Sequence, residues 1–133
     1  MSDKITPEML APCGVNCAAC SAYLDAKRPC PTCRTPDEAH KRKSCIGCEK
    51  KKCAFDRDLQ WCFECAEFPC TKLKSMNRRY TRDYGVDLIQ NGLDARKDMQ
   101  KFMKTQRTRC TCECGGIIDQ HRRQCSECGR AAT

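Results

Sequence analysis

Large apolar side chains are scarce in this sequence. Leucine, isoleucine, valine and phenylalanine together make up 17 of 133 residues, whereas charged residues make up 32% of the chain. A chain of this composition buries too little apolar surface to fold on a hydrophobic core alone. It also has no apolar stretch long enough to span a bilayer, so we expect no membrane partner. The sequence therefore predicts either disorder or a fold that something other than a core holds together.

Histidine and export signals are lacking as well. The only histidines are His40 and His121, and the His-Glu-x-x-His and His-x-Glu…Pro-Cys-x-x-Cys motifs of catalytic zinc sites do not occur. The sequence therefore does not indicate an enzyme. The first residues lack the basic and apolar regions of a signal peptide, so the expected location is the reducing cytoplasm.

Cysteine, in contrast, is abundant, with 16 residues. Between Cys13 and Cys70, four pairs have the Cys-x-x-Cys spacing, which lets a tight turn direct two thiolates at one tetrahedral metal. In a reducing compartment, repeated pairs of this kind indicate metal sites rather than disulfides. The eleven candidate ligands in the first half of the chain, here called the cysteine ladder, are Cys13, Cys17, Cys20, Cys30, Cys33, Cys45, Cys48, Cys53, Cys62, Cys65 and Cys70.

Eleven thiolates do not divide evenly into four-ligand sites. Two sites leave three cysteines over, and three sites require either His40 as a ligand or one thiolate shared between two metals. Zinc is the expected metal, because four thiolates close its coordination sphere, and an iron–sulfur cluster is the alternative. The predicted pairing opposes Cys17/Cys20 to Cys62/Cys65 and Cys30/Cys33 to Cys45/Cys48. Cys13, Cys53 and Cys70 then complete a further site or a cluster.

Near the C-terminus the sequence predicts a short zinc-ribbon-like hairpin. Two glycine-ended knuckles flank Ile117 and Ile118. Because four thiolates suffice for one zinc, His121 is expected at the surface or beside a ligand, and Cys110 is either a substitute for Cys112 or a free thiol. The four predicted ligands are Cys112, Cys114, Cys125 and Cys128. The whole chain is then expected to bind three or four zinc ions.

Several local elements are predicted from residue type and periodicity. Thr6-Pro7-Glu8 favours a single helical turn, residues 17–27 a short helix, and residues 71–80 a basic helix. Apolar residues recur at helical spacing over 86–103, where Asn91-Gly92 is expected to separate two helices. Residues 35–44 are expected to form an exposed loop. Three aromatic residues near the end of the ladder are expected to form a small apolar core: Trp61, Phe63 and Phe68.

Together these features predict a small, metal-stabilised, Cys-rich α+β protein. It combines an irregular module of metal knuckles at 1–75, a helical segment packed on it at 76–108, and the zinc-ribbon-like module at 109–133. The formal charge of +8 counts cysteines as neutral. Three zinc ions, each held by four thiolates, would lower it to about +2. The basic composition is therefore weak support for nucleic-acid binding.

The ladder also contains two recognisable motifs. Cys-Gly-x-x-Cys-x-x-Cys-x-x-Tyr begins at Cys13, and Cys-x-x-Cys-x-x-Phe-Pro-Cys ends at Cys70. Over residues 11–75 the chain resembles the bacterial and archaeal family called domain of unknown function 3795, and its terminal Cys-x-Cys-Gly-Gly…Cys-x-x-Cys-Gly is similar to that of longer members. The resemblance implies a zinc-binding intracellular protein and implies no reaction.

The expected function is a multi-zinc scaffold or interaction module with a protein partner. One alternative is an iron–sulfur, thiol-redox or metal-handling protein, in which unligated cysteines react. Another is a nucleic-acid-binding zinc protein. The basic residues that would contact nucleic acid are Lys72, Lys74, Arg78, Arg79, Arg82, Arg122 and Arg123.

Overall fold

Helices dominate the fold, and a short hairpin follows them. The computed structural model describes residues 4–37, 39–41 and 45–132. In this part of the chain the regular elements are α1 Glu49–Asp56, α2 Thr71–Tyr84, α3 Leu88–Lys97, α4 Met99–Cys110, β1 Ile118–Asp119 and β2 Gln124–Cys125. The expected combination of helices and a hairpin is confirmed, in an α-dominant proportion. None of the described helices is both long and apolar enough to cross a membrane.

Short 3₁₀ turns replace longer helices in the N-terminal part. The turn expected after Thr6 is confirmed as a 3₁₀ helix over Pro7–Met9. The helix expected over 17–27 is wrong, since only Cys17–Ala19 is helical. The Asn16 side chain accepts the N–H of Ala18 and starts this turn. Cys20 has extended backbone angles and ends it after three residues.

Helix α2 follows the expected basic segment and runs four residues beyond it. Gly85 ends it in the left-handed conformation, at a φ of +67°, where its N–H bonds to the carbonyl of Thr81. Leu73 and Tyr80 lie on the buried face of the helix. The chain therefore turns only after Tyr84.

The break between α3 and α4 differs from the prediction. Asn91 and Gly92 lie inside α3, and the chain breaks at Asp98, whose carboxylate accepts the N–H of Lys101 and caps α4. Gly92 is needed for packing, because a Cβ there would lie 2.7 Å from the ring of Phe68. The glycine allows a close approach rather than ending a helix.

Within the residues that the structure describes, three small apolar clusters take the place of a large core. The first surrounds Leu73 and Leu88, both fully buried, and includes ladder cysteines. The second joins the N-terminal part to the hairpin, for example through Ile5 and Ile117. The third cluster contains Phe63, and the aromatic residues Trp61 and Phe68 pack against it, as expected. It is lined by Leu10, Phe63, Ala95, Phe102 and Met103, with Trp61 and Phe68 at its edge.

The hairpin is held against the N-terminal turn by polar contacts. Its two strands pair antiparallel, with Ile118 opposite Cys125. The carboxylate of Asp119, which is 3% exposed, accepts the hydroxyl of Ser21 at 2.7 Å. The N–H of Gln120 donates to the carbonyl of Ala19 at 2.9 Å. These contacts place the C-terminal cysteines beside the beginning of the ladder.

The loop predicted at 35–44 is described in part. Thr35 is half-buried, and residues 36, 37, 39 and 40 are exposed, as expected. Lys41 is buried, at 5% exposure, which the prediction of an exposed loop missed. Glu38 and residues 42–44 of this loop lie outside the described residues, as do residues 1–3 of the predicted N-terminal module.

Candidate metal centres

The four C-terminal cysteines converge at the base of the hairpin. All four sulfur atoms lie within 4.8 Å of one another, in the group Cys112, Cys114, Cys125 and Cys128. The Cys112 and Cys128 sulfurs are 3.7 Å apart, and those of Cys114 and Cys125 are 3.5 Å apart. Four sulfurs placed tetrahedrally around zinc at about 2.3 Å lie about 3.8 Å from one another. This C-terminal cluster therefore has the dimensions of a closed four-thiolate site.

Backbone amides point at these sulfurs. The N–H of Gly116 donates to Cys114 Sγ and that of Glu127 to Cys125 Sγ, both at 3.4 Å. The sequence folds this way because Gly115 and Gly129 adopt positive φ angles of 91° and 75° after each knuckle. Amides that donate to a sulfur stabilise its thiolate form. The local backbone thus favours the ionised ligands that a metal requires.

The pKa values show that the four closely spaced thiols affect one another's ionisation. The backbone N–H groups of Cys128 and Glu127 lower the pKa of Cys125 to about 6. The N–H of Gly116 also lowers the pKa of Cys114, but the neighbouring thiols, first of all Cys125, outweigh it and raise this pKa to about 12. A divalent cation at the centre would relieve this repulsion. The donor set therefore fits a metal.

The residues left open by the sequence lie outside the C-terminal cluster. Cys110 does not replace Cys112, since it is buried and lies 3.9 Å from both Asn16 Nδ2 and Gln106 Oε1. Burial raises its pKa. His121 is half-buried, its Nδ1 accepts the N–H of Ser21, and its Nε2 lies 3.2 Å from the Tyr80 hydroxyl.

His40 does not approach the ladder cysteines. It is exposed, and its Nδ1 lies 2.8 Å from a carboxylate oxygen of Asp37. The structure thus places the candidate twelfth ligand at the surface, paired with an acid.

Seven ladder cysteines line one small cavity between the N-terminal turns and α2. The Sγ atoms of Cys17 and Cys33 are 3.7 Å apart. The thiol of Cys17 raises the pKa of Cys33 to about 12, and burial raises the pKa of Cys13. The cavity holds about 50 Å³. Its cysteines, here called the seven-cysteine group, are Cys13, Cys17, Cys20, Cys30, Cys33, Cys45 and Cys48.

The other four ladder cysteines line a second cavity between α1 and the start of α2. Burial first, and then the charges on Cys70 and Cys53, raise the pKa of Cys62 to about 12. Nη1 of Arg57 lies 3.1 Å from Cys65 Sγ. This cavity holds about 40 Å³. Its cysteines, here called the four-cysteine group, are Cys53, Cys62, Cys65 and Cys70.

This grouping differs from the predicted pairing. Cys17/Cys20 and Cys62/Cys65 line different cavities, so they do not face one another, whereas Cys30/Cys33 and Cys45/Cys48 do share a cavity. Among the described residues, only the C-terminal cluster has all its candidate ligand atoms within 4.8 Å. The ladder sulfurs are therefore gathered, but less tightly.

The size of the two ladder cavities limits what can enter them. Pockets for organic ligands have volumes of about 300–1,000 Å³, so cavities of about 40 and 50 Å³ suit ions rather than organic molecules. A larger cavity of about 390 Å³ lies along α3 and α4 and is lined by residues such as Asp94, Lys97 and Arg109, with no cysteine. The ladder thiols thus line the two small cavities and not the large one.

The cations beside the sulfurs were not identified from the sequence. Lys41 donates to the carbonyls of Cys33 and Thr35, at 3.1 and 2.7 Å. Arg34 stacks over Trp61, with its guanidinium carbon 4.8 Å from the ring centroid. The sequence signal for these cations was the excess of lysine and arginine. This excess does not indicate which of these residues lie beside the sulfurs.

Comparison with known proteins gives a family match. A family model matches residues 9–75, which is half of the chain and includes every ladder cysteine, whereas the C-terminal cluster lies outside it. Neither the curated proteins nor the solved structures gave a match. The family match confirms the resemblance of the ladder motifs. The chain therefore belongs to the family described as "Protein of unknown function (DUF3795)".

Proposed function

We propose that this protein is a zinc-stabilised scaffold that presents its outer surface to a protein partner in a reducing compartment. The C-terminal cluster binds one zinc ion, and the ladder binds further zinc ions. The metals act structurally: they hold together a chain whose apolar clusters are small. The cysteines serve as ligands rather than as redox groups.

The observation that carries the proposal is the geometry of the C-terminal cluster. Its sulfur–sulfur distances of 3.5 and 3.7 Å match those around a tetrahedral zinc ion, which are about 3.8 Å. The hydrogen bonds that backbone N–H groups donate to Cys114 Sγ and Cys125 Sγ orient these sulfurs before a metal binds. A site with four protein ligands has no open position for a substrate, which favours a structural role.

The location of the sulfurs supports the scaffold role over a thiol-redox role. Cys13 and Cys17 are 7% and 6% exposed and belong to the main apolar cluster. Reactive cysteines sit in accessible, electropositive surroundings, whereas buried ones are inert. Metal binding at these positions would tie the N-terminal turns to α2, because Leu73 of α2 packs in the same cluster.

The test is a chelator titration of the full chain, purified without added metal. Zinc release is measured with a colorimetric indicator and helix content by far-ultraviolet circular dichroism. We expect helix content to fall in step with zinc release, because binding energy at thiolate sites is folding energy. Full helix content after complete metal removal would contradict the proposal.

A pair of variants tests the C-terminal cluster separately. Cys112→Ser with Cys128→Ser should lose one zinc ion per chain. Cys110→Ser, a matched control at a buried cysteine outside the cluster, should lose none. Equal zinc content in both variants would rule out the C-terminal site.

The nucleic-acid alternative needs its own measurement. Titration of labelled single-stranded and duplex oligonucleotides at two salt concentrations should show no salt-sensitive binding under the scaffold proposal. Phosphate contacts make affinity fall steeply with salt, so a strong salt dependence would favour the alternative.

A further inference from the structure

We propose that the ladder binds three metal ions in two separate centres. The four-cysteine group holds one ion by itself, and the seven-cysteine group holds two ions that share the thiolate of Cys33. The inference rests on the proposed function, which requires thiolate-bound metal, and goes beyond it by assigning the ligands to individual ions. With the C-terminal cluster, the protein then binds four metal ions.

The four-cysteine group comes from three consecutive elements. Cys53 lies in α1, Cys62 begins a 3₁₀ turn over Cys62–Glu64, and Cys70 immediately precedes α2. The N–H of Cys65 bonds to the carbonyl of Cys62 at 3.0 Å and closes the turn. Four ligands within one short stretch can form a site without help from the rest of the ladder.

Cys65 repeats the local geometry of the C-terminal cluster. The N–H of Glu67 donates to Cys65 Sγ at 3.4 Å, from two residues further along the chain. The same bond, with the same spacing and distance, is made to Cys114 and to Cys125. This shared feature indicates that Cys65 is oriented as a metal ligand.

The charges around the four-cysteine group match one tetrathiolate ion. Its cavity is lined by the cations Lys50, Arg57 and Lys72 and by the carboxylate of Glu67, a formal charge of +2. A divalent ion with four thiolates carries a charge of −2. Arg57 contacts both a ligand sulfur and the carboxylate, since its Nη1 lies 3.1 Å from Cys65 Sγ and 3.0 Å from Glu67 Oε2.

The seven-cysteine group has one ligand too few for two independent ions. Two tetrahedral ions offer eight coordination positions, so seven thiolates fill them only if one is shared. Cys33 is placed to be that ligand. Its sulfur lies 3.7 Å from Cys17 Sγ, and its side chain also hydrogen-bonds with that of Cys45, so it contacts two different Cys-x-x-Cys pairs.

The contacts of Cys33 assign the two Cys-x-x-Cys pairs that touch it to different ions. In this assignment Cys17 and Cys20, together with Cys30, complete one ion with Cys33. Cys45 and Cys48, together with Cys13, complete the other. Buried Lys41, which donates to the carbonyl of Cys33, supplies positive charge beside the shared thiolate.

Cadmium-113 NMR of the full chain, loaded with cadmium in place of zinc, tests the assignment. A shared sulfur transmits scalar coupling between two cadmium nuclei. We expect four resonances: two uncoupled, from the C-terminal cluster and the four-cysteine group, and two coupled to each other. Coupling among all three ladder ions, or fewer than three ladder resonances, would overturn the proposal. Loss of the C-terminal resonance alone would instead count against the proposed function.

Variants assign the resonances. Cys62→Ser with Cys65→Ser should remove one uncoupled resonance and leave the coupled pair, and Cys110→Ser should remove none. If the double variant also loses the coupled pair, or loses nothing, the four-cysteine group is not a separate centre. Should the double variant fail to fold, the coupling pattern of the unmodified chain still decides.

Discussion

Asp119 forms a buried polar link between the hairpin and the N-terminal part. Both carboxylate oxygens lie within 2.8 Å of the Ser21 hydroxyl, and Oδ1 accepts the N–H groups of His121 and Arg122 at 2.9 and 3.0 Å. The residue is 3% exposed. Replacing it therefore leaves three donors without their partner, and two of them, the N–H groups of His121 and Arg122, are only partly buried.

The expected cost follows from these contacts. A hydrogen bond to a charged group contributes about 1.5–3 kcal/mol, and the two backbone donors lie near enough to the surface to recover water. We expect Asp119→Ala to lower the free energy of unfolding by about 3 kcal/mol. Asp119→Asn keeps an acceptor for the backbone and offers its amide to Ser21, so it should cost about 1 kcal/mol.

Asp25 provides a matched control. Its Oδ1 accepts the N–H groups of Lys27 and Arg28 at 2.8 and 3.1 Å, the same local motif as at Asp119, but in an exposed turn with no Ser21 contact. Asp25→Ala should therefore cost clearly less than Asp119→Ala. The assay is urea unfolding followed by circular dichroism at one fixed free-zinc concentration, since metal bound to the folded chain adds stability by mass action.

Two results would refute this reasoning. Equal losses for Asp119→Ala and Asp25→Ala would mean that the Ser21 contact adds nothing. A loss for Asp119→Asn as large as that for Asp119→Ala would mean that hydrogen-bond geometry does not determine the effect.

Three further predictions concern the core and the residues beside the sites. Leu73→Ala, at a fully buried position, should lower the free energy of unfolding by about 2–5 kcal/mol. Leu93→Ala, at a half-buried position, should lower it by less, and thermal melts of the two variants compare the losses. His121→Ala should keep the full zinc content but lose about 1–2 kcal/mol of stability with the Tyr80 bond, and zinc loss would make it a ligand. Cys110 should resist alkylation in the folded, metal-loaded protein, and peptide mapping that finds it modified would contradict its burial.

The sequence predicted elements whose signals are local. Pro7 at the first helical position, the basic helix after Cys70 and the two C-terminal knuckles all appear at their expected places. Each depends on a few neighbouring residues, such as a proline, a run of helix formers or a glycine after a cysteine. The local chemistry is therefore enough to identify them.

Elements that depend on packing were missed. Helix α1 has a run of lysines and only one buried residue, Ala54, so no apolar stripe marks it. Asn91-Gly92 suggested a break because glycine usually weakens a helix, but Gly92 lets Phe68 approach α3. The two helices separate at Asp98 instead, because its side chain caps the N-terminus of α4 just before Met99.

The grouping of ladder cysteines could not be read from spacing. Cys-x-x-Cys pairs show which two thiols share a turn, but not which turns meet. Cys70 belongs with Cys53 because α1 and the start of α2 form opposite sides of one cavity. That proximity is a property of the tertiary fold, and thiol spacing is the same in either arrangement.

The central claim is that metal–thiolate centres hold this fold together. The most direct test is the metal content of the anaerobically purified full chain, measured by elemental mass spectrometry together with its visible spectrum. The account predicts a colourless protein with four zinc ions per chain. A brown protein containing iron and labile sulfide, or a folded protein without bound metal, would contradict it.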